Sequence, residues 1–485
     1  MPVQPGILLI LWFSFMEKNI QIEMTFEKPT NRFRDNMENG VFTILFEVAS
    51  PLKTDDLSVA THYLKAMKDA VFKDTSIETG LAFTDNALNQ ETWNPADFAN
   101  DLEPAEKSRS IIFMSGKKSK PDLIADKINR CKSSGFLNIV AVTGDCATAT
   151  GKTRPKNFDS VHILNQIAEN EDKSLNTGCV VNPYLYTASA VYPQYYKLVK
   201  KIRKGANFVV AQSGWDLIKL QELRWFLESR ELHLPMISRV ALLTPEMAQE
   251  IISGGRPGIY ISHDLEVILR KESQYGFAQF ASAQWRRVQI QAAGARLMGC
   301  TGIMISGLER PEHIQTVCKK IHESFQELNN FDDWKNAYIN YLSRAEMAPY
   351  KRFYFFENLF LRQHPEVKFA RPVKECECSS REKSNYRICR MLFKNANMKF
   401  AGEHYLAKKI FAGCKGCSYC RIPLMQFVCP ELCPKGISNG PCGGIKVDGK
   451  CEVSDLECIH SKRFRLALWK NELDSLEDRY IRPAV

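Results

Sequence analysis

The sequence predicts an α/β protein, a (β/α)8 TIM barrel followed by a small cysteine-rich metal-binding domain. Two observations carry this prediction: eight strand-like apolar runs alternate with amphipathic stretches between residues 40 and 325, and most of the 16 cysteines follow residue 370. With 485 residues and 45% hydrophobic content, the chain can bury more than one core. We therefore divide it into an N-terminal extension (1–39), the barrel (40–325), a helical connector (326–375) and the cysteine-rich domain (376–485).

The alternation of strand and helix patterns is typical of a parallel sheet, and eight strands favour a closed barrel. The strand-like runs are 42–48, 80–84, 111–114, 138–143, 178–181, 208–211, 234–243 and 302–305. An open doubly wound sheet is the alternative. It is disfavoured because no G-x-G-x-x-G turn follows the first strand.

Charge and cysteine usage limit the partners and the location. The formal net charge of +10 comes from 65 basic and 55 acidic residues, a mild bias that suits an anionic substrate or an acidic partner and does not predict nucleic-acid binding. The apolar run at 6–15 is about half the roughly 20 residues of a spanning helix, so we expect no membrane span. Single cysteines scattered through the first part are typical of a reducing compartment and predict a cytoplasmic protein.

Polar residues close several of the apolar runs, and in a barrel these positions meet at one face. Asp, Asn and Gly are common in any turn, whereas Glu and Gln are poorer turn formers, so their presence at strand ends is more informative. The residues are Glu47, Thr84, Asp85, Thr143, Gly144, Asp145, Asn182 and Gln212.

These segments, in this order, resemble the catalytic barrel of the methylenetetrahydrofolate reductase family over about residues 40–325. The matching motifs are FEVASP, NIVAVTGD, KKIRKGANFVVAQ, GRPGIYISHDLEVILRK and GARLMGCTGIMISGL. The resemblance implies an oxidoreductase that reduces 5,10-methylenetetrahydrofolate to 5-methyltetrahydrofolate in one-carbon metabolism and methionine biosynthesis. It implies FAD or FMN as cofactor, with NAD(P)H or a ferredoxin-like protein as electron donor, and leaves open a homo-oligomer or a subunit of a redox complex.

The resemblance also implies roles for individual residues. Glu47 would be the general acid that opens the folate ring, provided that burial keeps it protonated near neutral pH. Asp145 would lie between flavin and pterin and stabilise the cationic iminium, and Gln212 would bind the pterin through its amide. The flavin, which supplies the hydride, would be cradled by Thr84, Val142, Thr143, Gly144, Asp145 and Lys201, with Lys201 facing a phosphate.

The chain departs from the family pattern at several of these places. Phe113, Leu185 and Gln194 stand where the family has two histidines and an aspartate. The run ISRVALLTP, residues 237–245, replaces the usual Gly-Ile-x-Pro segment.

The cysteine-rich tail predicts a metal site, because close C-x2-C spacings let two thiolates reach one ion without strain. Structural zinc and an iron–sulfur cluster both fit this pattern. The block is similar to the C-terminal domain of some bacterial and archaeal reductases of this family and to the small subunit of some acetogen enzymes. The candidate ligands are Cys414, Cys417, Cys420, Cys429, Cys433, Cys442, Cys451 and Cys458.

The sequence is also compatible with two other functions. In one, the folate barrel transfers a methyl group, and the tail docks a corrinoid protein. In the other, the barrel has no flavin, and the protein is an adaptor or electron-transfer partner. The visible absorption of a flavin would separate both from the reductase.

Overall fold

The structure is a computed structural model that describes residues 30–483 apart from 75, 86–90, 147–155, 171–173, 343–344, 365–375 and 395–403. The apolar run at 6–15 and most of the predicted N-terminal extension lie outside these residues. Among the helices that are described, none is long and apolar enough to cross a membrane.

Eight parallel strands pair in sequential order, and β8 closes the barrel on β1. The predicted (β/α)8 barrel and the eight predicted strand positions are confirmed. The strands are β1 (Thr43–Ala49), β2 (Thr79–Thr84), β3 (Ile111–Ser115), β4 (Asn138–Val142), β5 (Asn176–Val181), β6 (Phe208–Ser213), β7 (Met236–Ala241) and β8 (Gly302–Ser306).

Helices connect the strands and surround the barrel. Several begin at an aspartate or serine whose side chain accepts a backbone N–H of the first turn, which fixes where the helix starts. Up to residue 342 they are α1 (Arg32–Glu38), α2 (Leu57–Val71), α3 (Pro95–Phe98), α4 (Pro104–Arg109), α5 (Pro121–Ser133), α6 (Ser160–Glu169), α7 (Ala188–Arg203), α8 (Leu217–Ser229), α9 (Pro245–Ile252), α10 (His263–Ser273), α11 (Phe277–Leu297), α12 (Ile314–Glu327) and α13 (Phe331–Leu342).

The barrel interior is a packed core. Alternate residues of each strand point inward, and one inward layer is apolar, formed by Leu45, Ala82, Val140, Val210, Ile237 and Met304. Helix α1, which the sequence placed in the N-terminal extension, packs Phe33 and Met37 against this layer. The predicted extension, residues 1–39, therefore includes a helix that contributes to the barrel core.

The connector is helical only in part. Its first half forms α13, as expected, but residues 356–364 form turns in which Asn358 and Phe360 have positive φ. Their aromatic pattern arises from packing: Phe356 contacts Trp225 and Phe360 contacts Trp334. The spacing of these aromatic residues therefore reflects the burial of their side chains and not the helix that the sequence suggests.

The cysteine-rich region packs against the barrel, and Asn31–Val485 form one compact unit. Its helices are α14 (Ser380–Phe393), α15 (Tyr405–Ala412), α16 (Ile459–Lys470) and α17 (Asp474–Asp478). Helices α16 and α17 both lie on α7, where Tyr192 stacks on Phe464 at 5.2 Å between ring centroids. This docking brings the tail to the side of the barrel where the sequence places its candidate site residues.

Candidate functional site

A cavity of about 660 Å³ opens at the carboxyl ends of the strands, a size typical of small-molecule sites. The residues that the sequence proposed for catalysis, substrate and flavin all line it. These are Glu47, Thr84, Val142, Thr143, Gly144, Asp145, Lys201 and Gln212.

The strand period explains why polar groups meet here. The next inward position along a strand is two residues beyond the apolar layer. At this position Glu47 follows Leu45, and Gln212 follows Val210. The same step leads to Thr84 on β2, Val142 on β4, Arg239 on β7 and Ser306 on β8. The floor of the cavity is therefore a mostly polar layer that lies directly on the barrel core.

Arg239 is the functional candidate that the sequence reasoning missed. Its Nη2 lies 2.7 Å from both carboxylate oxygens of Glu47, and its Nε donates to Ser306 Oγ at 3.1 Å. Nη1 reaches Gln212 Oε1 at 3.4 Å. Reading ISRVA with a period of two would have placed Arg239 on the inward face beside Ile237 and Ala241. The candidate residues were those that close an apolar run. Arg239 was not among them because it lies inside the run 234–243.

Gln212 is oriented by its neighbours. Its Oε1 accepts the backbone N–H of Ser213 at 3.0 Å in addition to the contact from Arg239. The carbonyl side of the amide is thus engaged within the protein. The Nε2 group is the side that Gln212 can offer to a ligand, as a donor.

The loop after β4 holds Asp145 at the cavity edge. Asn157 Nδ2 donates to the carbonyl oxygens of Thr143, Gly144 and Asp145 at 3.0, 3.2 and 3.0 Å. Gly144 has φ +77°, and a Cβ there would lie 2.4 Å from Ser115 Oγ, so only glycine fits. Asn157 was not singled out from the sequence, since no strand ends near it.

Two of the proposed flavin-cradling residues have other partners. The Thr143 hydroxyl lies within hydrogen-bond distance of Asp159 Oδ1 and Ser160 Oγ, and it accepts the backbone N–H of Ser160 at the start of α6. The Lys201 ammonium donates to the carbonyl of Val180, and burial lowers the pKa of Lys201 to about 8. In this arrangement Lys201 does not present a free charge to a phosphate.

Other features of the wall fit a flavin ring. The Thr84 hydroxyl is buried in the wall and has no hydrogen-bond partner among the residues that the structure describes, so a bound ligand could satisfy it. Gly144 lies beside Asp145 in the same wall, and Ser115 occupies the space that a side chain at Gly144 would need. The residues therefore fit a planar polar ring near Thr84 and Asp145, but not the phosphate contact predicted for Lys201.

The tail completes the cavity wall through residues 440–444. Asn182 Nδ2 donates to Gly443 O at 2.8 Å, and Gln194 Nε2 donates to Cys442 O. Lys435 also lines the cavity, where its Nζ donates to Gly144 O at 2.8 Å and pairs with Glu452. The sequence described the tail as a domain that follows the barrel. The structure shows that it forms part of the same cavity.

A buried ion pair lies beneath this loop. Lys197 Nζ is 2.8 Å from Asp159 Oδ1, and both side chains are almost fully buried. Burial raises the pKa of Asp159, but the ammonium of Lys197 outweighs it and holds that pKa well below its usual range. The same Nζ donates to Pro441 O at 3.0 Å, which ties the loop to α7.

The eight candidate cysteine ligands form two groups. Cys414, Cys420 and Cys429 pack in one cluster with Cys389, and Cys417 lies near enough to Cys420 and Cys429 to interact electrostatically. The second group surrounds an enclosed void of about 20 Å³. Its members are Cys433, Cys442, Cys451 and Cys458.

His460 lines the same void, and neither of its buried ring nitrogens has a hydrogen-bond partner within the described part of the chain. An orphaned buried imidazole is unusual and fits a missing ligand. However, across the described ranges no group of three or more His, Cys, Asp and Glu side chains is arranged to hold a metal ion. The structure thus brings the cysteines into two groups without forming a closed single-ion site.

Comparison with known proteins gives two family matches. The model described as methylenetetrahydrofolate reductase matches residues 32–248, and the model described as methylene-tetrahydrofolate reductase C terminal matches residues 393–484. No curated protein matches the chain. Among solved structures, it is similar to an uncharacterized protein from Clostridium thermocellum that binds two copies of 5-methyl-5,6,7,8-tetrahydrofolic acid. That match has 15% identity, covers 61% of this chain and 99% of the other, and has a TM-score of 0.45, too low to bear on function.

Proposed function

Because the chain belongs to the methylenetetrahydrofolate reductase family, we propose that its cavity reduces 5,10-methylenetetrahydrofolate to 5-methyltetrahydrofolate. The observation that carries this proposal is the convergence of Glu47, Gln212 and Asp145 on one cavity floor and rim. Glu47 would supply an acid, Gln212 an amide that binds the pterin, and Asp145 a negative charge. We also propose the four-part domain division, with α1 added to the barrel into which it packs. We propose a cytoplasmic location and a donor that is NAD(P)H or a ferredoxin-like protein.

The chain's own residues would act on the folate in sequence. Gln212 Nε2 donates to the pterin and orients it above the mostly polar floor of the cavity. Glu47 supplies the proton that lets the methylene bridge open to an iminium cation. Asp145, held by Asn157 and Gly144, stabilises that cation electrostatically. Residues 440–444 exclude water from one side, which strengthens each of these interactions.

We propose a flavin, FAD or FMN, as the source of hydride for the iminium carbon. The buried hydroxyl of Thr84, which has no hydrogen-bond partner among the described residues, supports a ring site. The buried Lys201, which donates to Val180 O, gives no support to a phosphate contact.

We expect protein purified without oxygen to take up one flavin per chain, measured by visible absorption. The variant Thr84→Val, which removes the orphaned hydroxyl but keeps the shape, should weaken flavin binding by about tenfold, the effect of one hydrogen bond of roughly 1.4 kcal/mol. Thr61→Val, on the exposed face of α2, is the matched control and should bind flavin like the unmodified chain. A protein that takes up neither FAD nor FMN would contradict the flavin proposal and favour the flavin-free alternatives.

We propose that the tail binds metal through thiolates and that at least part of it is an iron–sulfur cluster. Sulfur ligands of a zinc ion all lie about 2.3 Å from one point, whereas a cluster needs thiolates spread around a larger body. The void among Cys433, Cys442, Cys451 and Cys458 is only about 20 Å³, so its size does not favour a cluster over a single ion for that group. Its position directly behind the cavity loop suits a one-electron relay to the site.

We expect iron and acid-labile sulfide in protein purified without oxygen. Cys433→Ser should lose about half of the iron if each cysteine group holds one cluster. Cys318→Ser, a buried thiol on α12 far along the chain from the tail, should keep all of it. Stoichiometric zinc without sulfide would contradict the cluster and leave a structural site.

A further inference from the structure

The contacts of Arg239 conflict with a simple role for Glu47 as an acid. A guanidinium at 2.7 Å from both oxygens of Glu47 favours the ionised carboxylate. Both side chains are mostly shielded from water, with 15% and 17% of their surfaces exposed, so solvent weakens the pair only in part. Ring opening, however, needs Glu47 to carry a proton.

We propose, on the basis of the proposed function, that Arg239 is a positioning residue that couples folate binding to the protonation of Glu47. In the free protein it holds Glu47 as a carboxylate. When the pterin binds, the guanidinium turns towards it, and Glu47 takes up one proton from solvent. The acid is thus formed only in the folate complex.

The position of Arg239 makes this exchange feasible. Its Nη1 is 3.4 Å from Gln212 Oε1, so the guanidinium already lies between the proposed acid and the proposed pterin contact. A pterin carbonyl is a strong acceptor for a guanidinium. Ser306 holds Nε at 3.1 Å, which anchors the side chain while its terminal nitrogens change partner.

The cationic groups of the cavity other than Arg239 have partners of their own, so none of them replaces Arg239. Asp85 pairs with Lys127, Lys197 with Asp159, Arg256 with Glu250 and Lys435 with Glu452, and Lys201 donates to Val180 O. Tyr63 donates to Leu308 O, and its pKa is raised by burial and by Glu309. Asp145 stands on the β4 loop, beside Gly144. Arg239 is the partner of Glu47 among the described contacts.

The proton balance of the step is complete. The protonated carboxyl of Glu47 gives its proton to the folate nitrogen N10 as the bond from N10 to the bridging carbon breaks. The electron pair of that bond stays on N10, and the positive charge moves to the iminium at N5. Glu47 returns to the carboxylate that Arg239 can bind again.

Calorimetry of 5,10-methylenetetrahydrofolate binding, without reductant and in buffers of different ionisation enthalpy, tests the proposal on the unmodified protein. We expect uptake of close to one proton per folate at pH 7. Glu47→Gln should bind folate without uptake. Arg286→Met removes a bidentate arginine pair on the surface, and it should take up the same proton as the unmodified protein. Folate binding without proton uptake would overturn the coupling but not the proposed function. No folate binding would overturn the proposed function itself.

The pH profile of kcat/KM, which reports the free protein, gives a second readout. Arg239→Met should move the alkaline fall in rate upward by at least one pH unit, because no cation then favours the carboxylate. Arg239→Lys keeps a cation and should leave that midpoint near its original value. An Arg239→Met profile that is lower at every pH but has the same midpoint would mean a structural role and would overturn the proposal.

Discussion

Replacing Glu47 by glutamine is expected to slow the reduction of 5,10-methylenetetrahydrofolate by about 100- to 10,000-fold, the usual contribution of a general acid. The amide keeps the size of the side chain and can still contact Arg239, but it has no proton to give to N10. Gln212, the proposed pterin contact, lies in the same inward-facing layer and is unchanged in this variant. The substrate should therefore still bind.

The two half-reactions separate catalysis from structure. Reduction of the flavin by an artificial donor does not involve ring opening, so Glu47→Gln should leave its rate within about twofold of normal. Glu327→Gln changes a surface glutamate that pairs with Arg286, and it should alter neither half-reaction. Equal losses in both half-reactions of Glu47→Gln would instead indicate that Glu47 supports the fold of the cavity.

Removal of one partner of the buried pair beneath the loop should give the largest loss of stability. Asp159→Asn leaves the Lys197 ammonium buried without a counter-charge, which typically costs about 3–5 kcal/mol in the free energy of unfolding. The double variant Asp159→Asn with Lys197→Met removes both charges and should recover much of that loss. Arg286→Met, at an exposed pair, should cost about 1 kcal/mol or less. Urea denaturation measures all four proteins.

The pair also predicts a response to acid. Because the folded pKa of Asp159 lies below its usual range, its contribution is present above about pH 4, the ordinary value for aspartate. It is lost as the pH falls through the folded pKa. Acid should therefore narrow the difference in stability between the unmodified protein and Asp159→Asn. A constant difference between pH 7 and pH 2 would contradict the assigned ion pair.

Much of the barrel could be read from the sequence because its causes are local. Apolar runs and their spacing predict each strand, and the polar residue at a strand end predicts a place at the cavity. Glu47 and Gln212 were found in this way, although they lie on β1 and β6. Closure of the barrel converts these separate local signals into one site.

The features of the site that could not be predicted from the sequence depend on contacts between segments that are far apart in the chain. Arg239 and Glu47 are 192 positions apart in the sequence, and no local sequence pattern predicts that they pair. Asn182 meets Gly443 across 261 positions, so the docking of the tail on the cavity was not visible. Lys201 was assigned by resemblance, but the burial that turns its ammonium to Val180 O depends on how α7 packs on β5.

The proposed function depends on the reduction of a folate methylene group in this cavity. The most direct test is a single turnover without oxygen, in which 5,10-methylenetetrahydrofolate is mixed with flavin-loaded protein and a chemical reductant, and the folates are separated by chromatography. This reaction should give one equivalent of 5-methyltetrahydrofolate per chain, and almost none from Glu47→Gln on the same time scale. Unchanged methylenetetrahydrofolate with the unmodified protein, despite bound flavin and bound folate, would contradict the proposed function.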